Sequence, residues 1–569
     1  MDNKAVRLGA PCFLGAFLLP FPPAFAAAQP DETLVVTANA AAAMTIKDAP
    51  ATLSFIDAQE QSKYQMTGDV GDLLVDVPGV NVSSQANGSR SVRIRGLSND
   101  YTQVLLNGQR SYTREALWRG SDNALSLTPS VAIETIEVIR GPMGTLYGAD
   151  TMGGVVNVIT RKHNGVAEGS VSVEGQYNQG DKGGNGQVYG LYFSTPVTDA
   201  VSYTVYGNYL NVDETFYSSR PEFTKLRSQD NYNVVNNLEF ALNENHTLEL
   251  EAQLSKEHQI GSKMWGGRGY EQDRGLENYS LGYGFDSSSV SVDANLHYSN
   301  FDITYDNPSS DITEKNYGGD VKAYTYIGQH SIAVGGESHK DRINSVGING
   351  GSTERTSSAA FVEGNLEVTD STLVTLGGRY DTDSLFDSEF TYRGYLNQTV
   401  NGSWNIKAGV GTAFKAPTMA QISPSYTAPG CGGNCTVFGN PDLKAETGTF
   451  GEVGAYYSGS ATNINATLFH NQIDDIIQQV RRADGNFTFV NVDKATLKGL
   501  ELFASHEFSH VGLEGSYTYL DASDDTDGSR LVGTSEHEAT ARVNGVVDQI
   551  SLKKNSAIYD YPLVSNGHT

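Results

Sequence analysis

Alternation of apolar and polar residues dominates the chain from about residue 167 onward. In residues 248–254 every second side chain is apolar and the others are polar, and residues 290–298 follow the same rule. A period of two indicates a β-strand with one apolar face. Segments of roughly ten such residues, with Tyr or Phe near their ends, are typical of strands that cross a membrane as a barrel. A soluble β-sandwich also alternates, so the long succession without intervening helices is what favours the barrel.

The connections between these segments are of two lengths. Short polar connections at 198–199 and 242–245 predict periplasmic turns. Long polar stretches predict extracellular loops at 216–229, 255–277, 298–316 and 413–444. The alternation therefore predicts the barrel, and the lengths of the connections predict its orientation in the membrane.

Residues 41–162 follow a different pattern, that of a compact mixed α/β domain. Residues 70–77 carry apolar side chains at helical spacing, and Pro78-Gly79 ends that short helix. A second helix start is indicated by Thr128-Pro129. Strands are predicted at 80–82, 91–95, 103–106, 134–140 and 155–160, with a hairpin turn at Asn107-Gly108.

The first 28 residues predict a secretory signal peptide. Lys4 and Arg7 precede an apolar stretch from 12 to 25 that is broken by prolines, and Ala24-Phe25-Ala26 or Ala26-Ala27-Ala28 supplies a small-residue cleavage site. The segment that follows, 29–40, has no capping or turn chemistry. Such an extended peptide is suited to pairing with the edge of a partner's sheet.

Composition narrows the function classes. The 569-residue chain has 66 Asp and Glu against 39 Lys and Arg, a net charge of −27, which argues against nucleic-acid binding. Cys431 and Cys435 are the two cysteines beyond the leader, and in an oxidising compartment we expect them to form a small loop disulfide. The 11 histidines show no paired metal spacing and no nucleophile–base set stands out. We therefore predict no resident metal or cofactor and no catalysis.

Arginines next to glycine mark two strands of the α/β domain. Arg93 and Arg95 precede Gly96, and Arg140 precedes Gly141, with Glu134 and Glu137 close by in sequence. Inside a plugged barrel such charges would pair with each other and with the wall, because the guanidinium group of arginine can donate two parallel hydrogen bonds to a carboxylate. On a free domain they would be exposed strand ends. The spacing alone does not separate the two interpretations.

Several motifs, in order along the chain, resemble those of TonB-dependent outer-membrane receptors. In the plug region they are 73–80 (LLVDVPGV), 93–97 (RIRGL), 136–142 (IEVIRGP), 146–148 (LYG) and 153–160 (GGVVNVIT). In the barrel they are 413–417 (AFKAP) and 440–447 (NPDLKAET). The resemblance runs from about 31 to 545. It implies a plug domain, 41–162, inside a transmembrane antiparallel β-barrel, 163–549, surrounded by the lipid of the bacterial outer membrane.

The resemblance also implies partners and site residues. The segment 29–40 resembles the TonB box, so the residues expected to contact TonB are Asp31, Glu32, Thr33, Leu34, Val35 and Val36. Within the family the plug most resembles ferric catecholate-siderophore and colicin I receptors, which makes a ferric siderophore the expected ligand and a colicin or phage a further candidate partner. Arginine suits anionic ligands and aromatic side chains suit rings. The residues expected to bind ligand are Arg90, Arg110, Tyr112, Arg114, Trp118 and Arg119.

Alternative functions remain open at this point. A heme or cobalamin receptor of the same family is the nearest one. Against it, residues 112–123, which the resemblance implies form an apical plug loop, carry Arg and Trp and no His. A passive porin or adhesin without energy coupling is the other.

The end of the chain differs from the family pattern. Alternating segments after the plug number roughly 18, whereas the family closes its barrel with about 22 strands. Residues 550–569 lack a terminal aromatic strand, so we expect a C-terminally truncated chain whose last 20 residues, roughly, are foreign to the fold. Unpaired strand edges in lipid leave polar backbone groups unsatisfied, so such a chain is expected to assemble poorly.

Overall fold

A computed structural model describes residues 34–35, 44–58, 70–75, 77–84, 90–111, 125–178, 183–261, 269–306, 311–430, 434–531, 533–547 and 550–560. Among these, no helix has the length and apolar character needed to cross a bilayer.

The N-terminal part forms a plug domain built on a five-stranded sheet. Its strands are β3 (Thr52–Asp57), β6 (Thr102–Leu106), β7 (Gln109–Arg110), β8 (Ile133–Arg140) and β9 (Gly154–Thr160), in the order β3-β8-β9-β6-β7. A separate hairpin pairs β4 (Val80–Ser84) with β5 (Arg90–Ile94). Ahead of them, β1 (Leu34–Val35) pairs antiparallel with β2 (Met44–Thr45).

Helices in the plug are short. The 3₁₀ turns are Val70–Leu74, Asn99–Tyr101, Leu125–Leu127 and Ser130–Ala132, and α1 is Gly144–Tyr147. The first matches the predicted helix and buries Val70, Leu73 and Leu74. The predicted helix start at Thr128-Pro129 gives only the single turn Ser130–Ala132. β8 begins immediately afterwards because Ile133, Ile136 and Val138 pack in the core of the sheet.

One large antiparallel sheet surrounds the plug. Its strands are β10 (Glu168–Gln176), β11 (Gly186–Thr198), β12 (Val201–Val212), β15 (Gln229–Asn243), β16 (His246–Gly261), β17 (Tyr270–Asp286), β18 (Val290–Tyr305), β19 (Ile312–Ile327), β20 (His330–Ser345), β21 (Ser352–Thr369), β22 (Thr372–Asp383), β23 (Glu389–Thr399), β24 (Trp404–Lys415), β27 (Glu446–Ser458), β28 (Thr462–Arg481), β29 (Phe487–Glu507), β30 (Val511–Asp524), β31 (His537–Val547) and β32 (Ile550–Asp560). Loop elements are β13 (Thr215–Phe216), β14 (Thr224–Leu226), α2 (Met419–Ile422), β25 (Thr427–Gly430) and β26 (Cys435–Phe438). The predicted plug-and-barrel fold is confirmed.

Within the described ranges the sheet has 21 strands, of which β25 and β26 form a loop hairpin, so 19 strands make the wall. This is close to the predicted count. The prediction that residues from 550 lie outside the fold needs correction for 550–560, because β32 pairs with β31 along its length. Backbone groups complete such a ladder whatever the side-chain pattern. Residues 561–569 lie outside the described part.

The wall strands show why alternation predicted them. In β11 the residues alternate between buried and exposed from Gly186 to Ser194, with Tyr192 0% and Leu191 50% exposed. The exposed side chains are largely apolar and the enclosed face is largely small or polar, the reverse of a soluble core. The tyrosines Tyr279, Tyr298 and Tyr317 lie in contact across three neighbouring strands.

Two predicted loops are shorter than expected. The stretch 255–277 contains the ends of β16 and β17, which leave only 262–269 between them, and 298–316 likewise contains the ends of β18 and β19. Backbone pairing continues past the apolar band, because polar side chains there face water or the lumen without weakening the ladder. Polarity therefore marked the end of the lipid-facing band and not the end of the strand.

Candidate functional site

The plug is fastened to the wall by buried ion pairs. Arg95 Nη1 lies 2.9 Å from Glu452 Oε2, and its Nε lies 2.9 Å from Glu501 Oε1. Arg140 Nε lies 3.5 Å from Glu501 Oε2. Both arginines belong to the plug and both glutamates to the wall. The interpretation in which the Gly-flanked arginines pair with the wall is therefore confirmed for Arg95 and Arg140. We call Arg95, Arg140, Glu452 and Glu501 the plug latch.

Neighbouring hydroxyls complete the plug latch. Thr52 Oγ1 and Tyr395 OH donate hydrogen bonds of 2.9 and 2.6 Å to Glu452 Oε1. Burial by itself would lower the pKa of Arg95, but the Glu501 and Glu452 carboxylates outweigh it and raise that pKa. Arg95 stays charged, and every carboxylate in the latch has a donor.

Backbone geometry brings the plug close to the latch carboxylates. Arg95 adopts a positive φ of 50°, which is uncommon for a residue with a side chain. Gly79 has a φ of 70°, and a Cβ there would collide with the Glu501 carboxylate. Glycine is therefore required at position 79, because only glycine permits both the positive φ and the close approach to the Glu501 carboxylate.

A second group of charges lies under α1. Arg379 Nη2 is 2.8 Å from Asp381 Oδ1 and also contacts Glu337, while its Nη1 donates to the Leu146 carbonyl at 3.4 Å. Arg393 Nε donates to Glu363 Oε2 at 2.7 Å. The plug thus rests on charged wall side chains at this face as well.

The two late-barrel motifs meet each other and the plug. Lys415, from the first motif, lies 2.8 Å from Glu446 of the second. Tyr101 of the plug donates to the other oxygen of Glu446 at 2.6 Å. These motifs therefore have a structural role in seating the plug.

The start of the plug is tied down by Lys407. Its Nζ donates to the carbonyls of Ile46 and Ala49 at 2.8 and 2.9 Å, and the Ala51 carbonyl lies at 3.4 Å. Asn397 and Asn405 each donate to the Lys47 carbonyl at 2.9 Å. We call residues 46–51 the N-terminal anchor. It directly follows β2, so any pull on the segment ahead of it reaches this contact first.

Replacing Lys407 with Met should loosen the N-terminal anchor selectively. The buried carbonyls would lose a charged donor, at a cost of about 1–3 kcal/mol. Hydrogen exchange of the Asp48, Ala49 and Ala51 amides should then accelerate by roughly 10- to 100-fold. Lys444→Met, at an exposed loop position, is the matched control. Unchanged exchange in a folded Lys407→Met protein would contradict the anchor.

A large cavity separates the plug from one side of the wall. Its volume is about 1070 Å³, and its lining includes Asp57, Arg110 and Glu137 from the plug. The wall contributes Glu239, Glu249, Glu251, Asp286, Asp293, Asp320 and Glu337, among others. Several of these lie near the short connections between strands, so the cavity belongs to the periplasmic half. Its charged lining is predominantly acidic.

The structure places only part of the predicted site. Arg90 pairs with Asp72 at 2.5 Å. Arg110 donates to the Tyr147 carbonyl and lies 4.0 Å from Glu337, on the inner cavity and away from the outer mouth. Tyr112, Arg114, Trp118 and Arg119 lie outside the described residues, as do Asp31, Glu32, Thr33, Val36 and Cys431. Cys435 is disulfide-bonded. The ligand, TonB and pairing assignments stay predictions.

Sequence reasoning missed the wall half of the latch. Glu501 interrupts an otherwise apolar run, 500–502, and Glu452 follows a glycine on a strand. A carboxylate on the enclosed face of a barrel strand was the available signal, but nothing in the sequence says which arginine it meets.

Among the described residues, no group of three or more His, Cys, Asp or Glu side chains is arranged to hold a metal ion.

Comparison with known proteins agrees with this architecture. Residues 45–155 match the TonB-dependent Receptor Plug Domain, and residues 169–548 match the TonB dependent receptor-like, beta-barrel. The chain therefore belongs to the TonB-dependent receptor family, and it is an outer-membrane protein.

Relatives in this family include iron-related receptors. The iron-regulated outer membrane virulence protein of Vibrio cholerae O1 (El Tor Inaba N16961) is 32% identical over 526 residues, covering 87% of this chain and 78% of that protein. The ferric enterobactin receptor of Pseudomonas aeruginosa PAO1 is 26% identical, covering 83% and 75%. A crystal structure of a single-site mutant of the P. aeruginosa ferric enterobactin receptor, in complex with enterobactin, shares the fold, with a TM-score of 0.81, 23% identity and 90% and 87% coverage.

Proposed function

We propose that this protein captures a ferric siderophore, of the catecholate class, and imports it into the periplasm using energy delivered by TonB and its inner-membrane complex. The observation that carries the proposal is the way the plug is held, by ion pairs and hydrogen bonds beside a large cavity. Charged groups regain hydration when such an interface opens, whereas an apolar interface would lose its main stabilisation. The plug latch is therefore suited to opening under force and closing again.

The ligand class rests on chemistry and on relatives. The names of the relatives include ferric enterobactin, and residues 112–123 of this chain carry arginines together with Tyr112 and Trp118. Guanidinium groups suit the deprotonated oxygens of a catecholate, and aromatic side chains suit its rings. Iron enters only as part of this cargo and not as a resident cofactor.

The acidic cavity suits release of the ligand. Carboxylates of Glu239, Glu249 and Asp320 line it, and a ferric tris-catecholate is an anion. Like charges disfavour binding in a confined space. An anionic cargo is therefore not retained beneath the plug. In this proposal Arg110 contacts the siderophore while it passes through the barrel, and not when it is first bound from outside the cell.

Binding titrations test the ligand class. Purified protein should bind ferric enterobactin saturably, and roughly 100-fold more tightly than heme or cyanocobalamin, which corresponds to about 2.7 kcal/mol. The iron-free siderophore serves as the control for recognition of the ferric complex. Tighter binding of heme or cobalamin would reject the catecholate assignment.

Energy coupling separates this function from a passive barrel. Uptake of ferric enterobactin by cells expressing the receptor should stop when the proton gradient is collapsed, while binding at the cell surface continues. Uptake that persists without the gradient would favour a porin.

A further inference from the structure

Three basic side chains lie together on the outward face of the barrel wall. Lys315 on β19 is paired in register with Arg342 on β20, and Lys340 precedes Arg342 by two residues on the same strand. The Lys340 and Arg342 side chains are 48% and 45% exposed. The residues that alternate with the three, Glu314 and Asp341, are each 2% exposed and face the enclosed side. We call Lys315, Lys340 and Arg342 the outer basic patch.

Tyrosines on the same face show where the outer basic patch lies relative to the lipid band. Tyr317, which pairs in register with Lys340, begins a row of tyrosine rings in contact, with Tyr298 and Tyr279 following on the next two strands. The exposed Tyr326 lies nine residues further along β19, near its periplasmic end. That length of tilted strand spans about 23 Å of membrane thickness, close to the apolar band of about 25 Å between two aromatic girdles. Lys340 is therefore at the outer border of the lipid band.

Lys315 and Arg342 lie further from the periplasm than this border. The turn 328–329 joins β19 to β20 on the periplasmic side, and both residues are two positions beyond the row of Tyr317 and Lys340. Two residues of tilted strand add about 5 Å of height. Lysine and arginine at this depth keep their alkyl stems along the apolar surface and hold their charges among the lipid headgroups. The outer basic patch therefore lies at the headgroup level of the outer leaflet.

The outer basic patch has more cations than carboxylates to neutralise them. Glu354 on β21 is shared, because it lies 2.6 Å from Lys340 Nζ and 3.6 Å from Arg342 Nη1. Lys315, opposite Arg342, makes no ion pair within the described part of the chain. Asp302, on the same face of the neighbouring β18, accepts a hydrogen bond of 2.5 Å from an asparagine. Three cations thus share one paired carboxylate, in a chain whose net charge is −27.

Two other lysines on the outward face of the wall are neutralised one by one. On β29, Lys494 Nζ lies 2.7 Å from Asp474 Oδ1, and Lys498 Nζ lies 3.2 Å from Asp521 Oδ2. The two lysine side chains are 60% and 57% exposed. Exposure of basic side chains is therefore common to both places, and the excess of positive charge distinguishes the outer basic patch.

We propose that the outer basic patch binds the phosphate groups of lipid headgroups in the outer leaflet. Lysine and arginine near a membrane surface attract anionic headgroups. The Arg342 guanidinium can donate two parallel hydrogen bonds to one phosphate, and the ammonium groups of Lys315 and Lys340 add positive charge on either side. This interaction fixes the depth of the wall in the membrane and does not depend on which ligand the receptor imports.

Titration of the full-length protein with a phosphorylated lipid tests the assignment. Lipid A bearing two phosphates is added in a neutral detergent, and the bound lipid is counted by native mass spectrometry. The double variant Lys315→Gln/Arg342→Gln should raise Kd by about 25-fold, at about fivefold for each lost cation. Added salt should weaken binding to the wild-type protein. Lipid A from which both phosphates have been removed should bind the wild-type protein and the variant equally weakly.

Lys494→Gln/Lys498→Gln is the matched control, because it removes two charges from the same outward face. It should leave Kd within about twofold, since each of these lysines already has its own carboxylate. Heat-modifiable migration in gels verifies folding of each variant. Unchanged affinity in the folded Lys315→Gln/Arg342→Gln protein would overturn the inference, and so would an equal loss in the control, which would indicate a general effect of net charge. Failure of the wild-type protein to prefer the phosphorylated lipid would overturn it as well.

Discussion

Val35→Pro should abolish energised uptake while leaving ferric enterobactin binding at the cell surface intact. The segment Leu34–Val35 is extended and pairs with Met44–Thr45, so its backbone already has strand geometry. TonB is expected to add to this segment by β-strand pairing, which requires its backbone N–H groups. Proline has no N–H and fixes φ, so it blocks that pairing. Uptake of radiolabelled iron and surface binding, measured on the same cells, give the two readouts.

Val35→Ile is the matched control, because it keeps both the N–H group and β-branching. It should support uptake near the wild-type rate. If Val35→Pro cells lose binding as well, the substitution has damaged folding and the coupling role is not supported. If they transport normally, residues 31–36 are not where TonB acts.

Arg95→Met should destabilise the receptor by about 3–5 kcal/mol. Arg95 is the group that neutralises both Glu452 and Glu501, and all three side chains are less than about a tenth exposed. Its removal leaves Glu452 without its arginine and Glu501 with Arg140 alone, at 3.5 Å. The midpoint of thermal loss of the heat-modifiable form should fall, and the plug should become more sensitive to protease.

A double variant separates charge from packing in the same latch. Arg95→Met with Glu501→Gln should recover part of the lost stability, since the latch then has one carboxylate fewer for its remaining arginine, Arg140. Arg482→Met is the matched control. Its pair with Asp484 spans 3.4 Å at 46% and 48% exposure and should contribute less than about 1 kcal/mol. A similar loss for both single variants, or no recovery in the double, would refute the latch.

The latch and the N-terminal anchor together indicate the order of events under load. A pull on residues 31–36 reaches β2 first, then the contacts of Lys407 with Ile46 and Ala49, and only then β3. The plug latch lies further along the chain, beyond β3. Force would thus break hydrogen bonds to backbone carbonyls before it reaches the ion pairs. Lys407→Met should lower the energy barrier for releasing residues 46–51 without changing the barrier for breaking the ion pairs of the plug latch.

Local patterns were sufficient to predict the elements but not their neighbours. The apolar alternation of 248–254 and 290–298 predicted strands correctly, because each side chain there faces either lipid or lumen. The start at Thr128-Pro129 gave one turn instead of a helix, since Ile133 and the residues after it extend as a strand of the plug sheet. The ends of β16 and β17 were missed because backbone pairing does not depend on polarity.

The amino-acid sequence alone was enough to predict the membrane-barrel class, the plug ahead of it, the Gly-flanked arginines and the extended conformation of Leu34–Val35, because each depends on residues close together in the chain. The tertiary structure was needed to show that Arg95 meets Glu452 and Glu501, that Lys407 holds residues 46–51, and that Arg110 faces the inner cavity. These contacts join residues about 230 to 410 positions apart, whose pairing is set by strand register and by the seating of the plug.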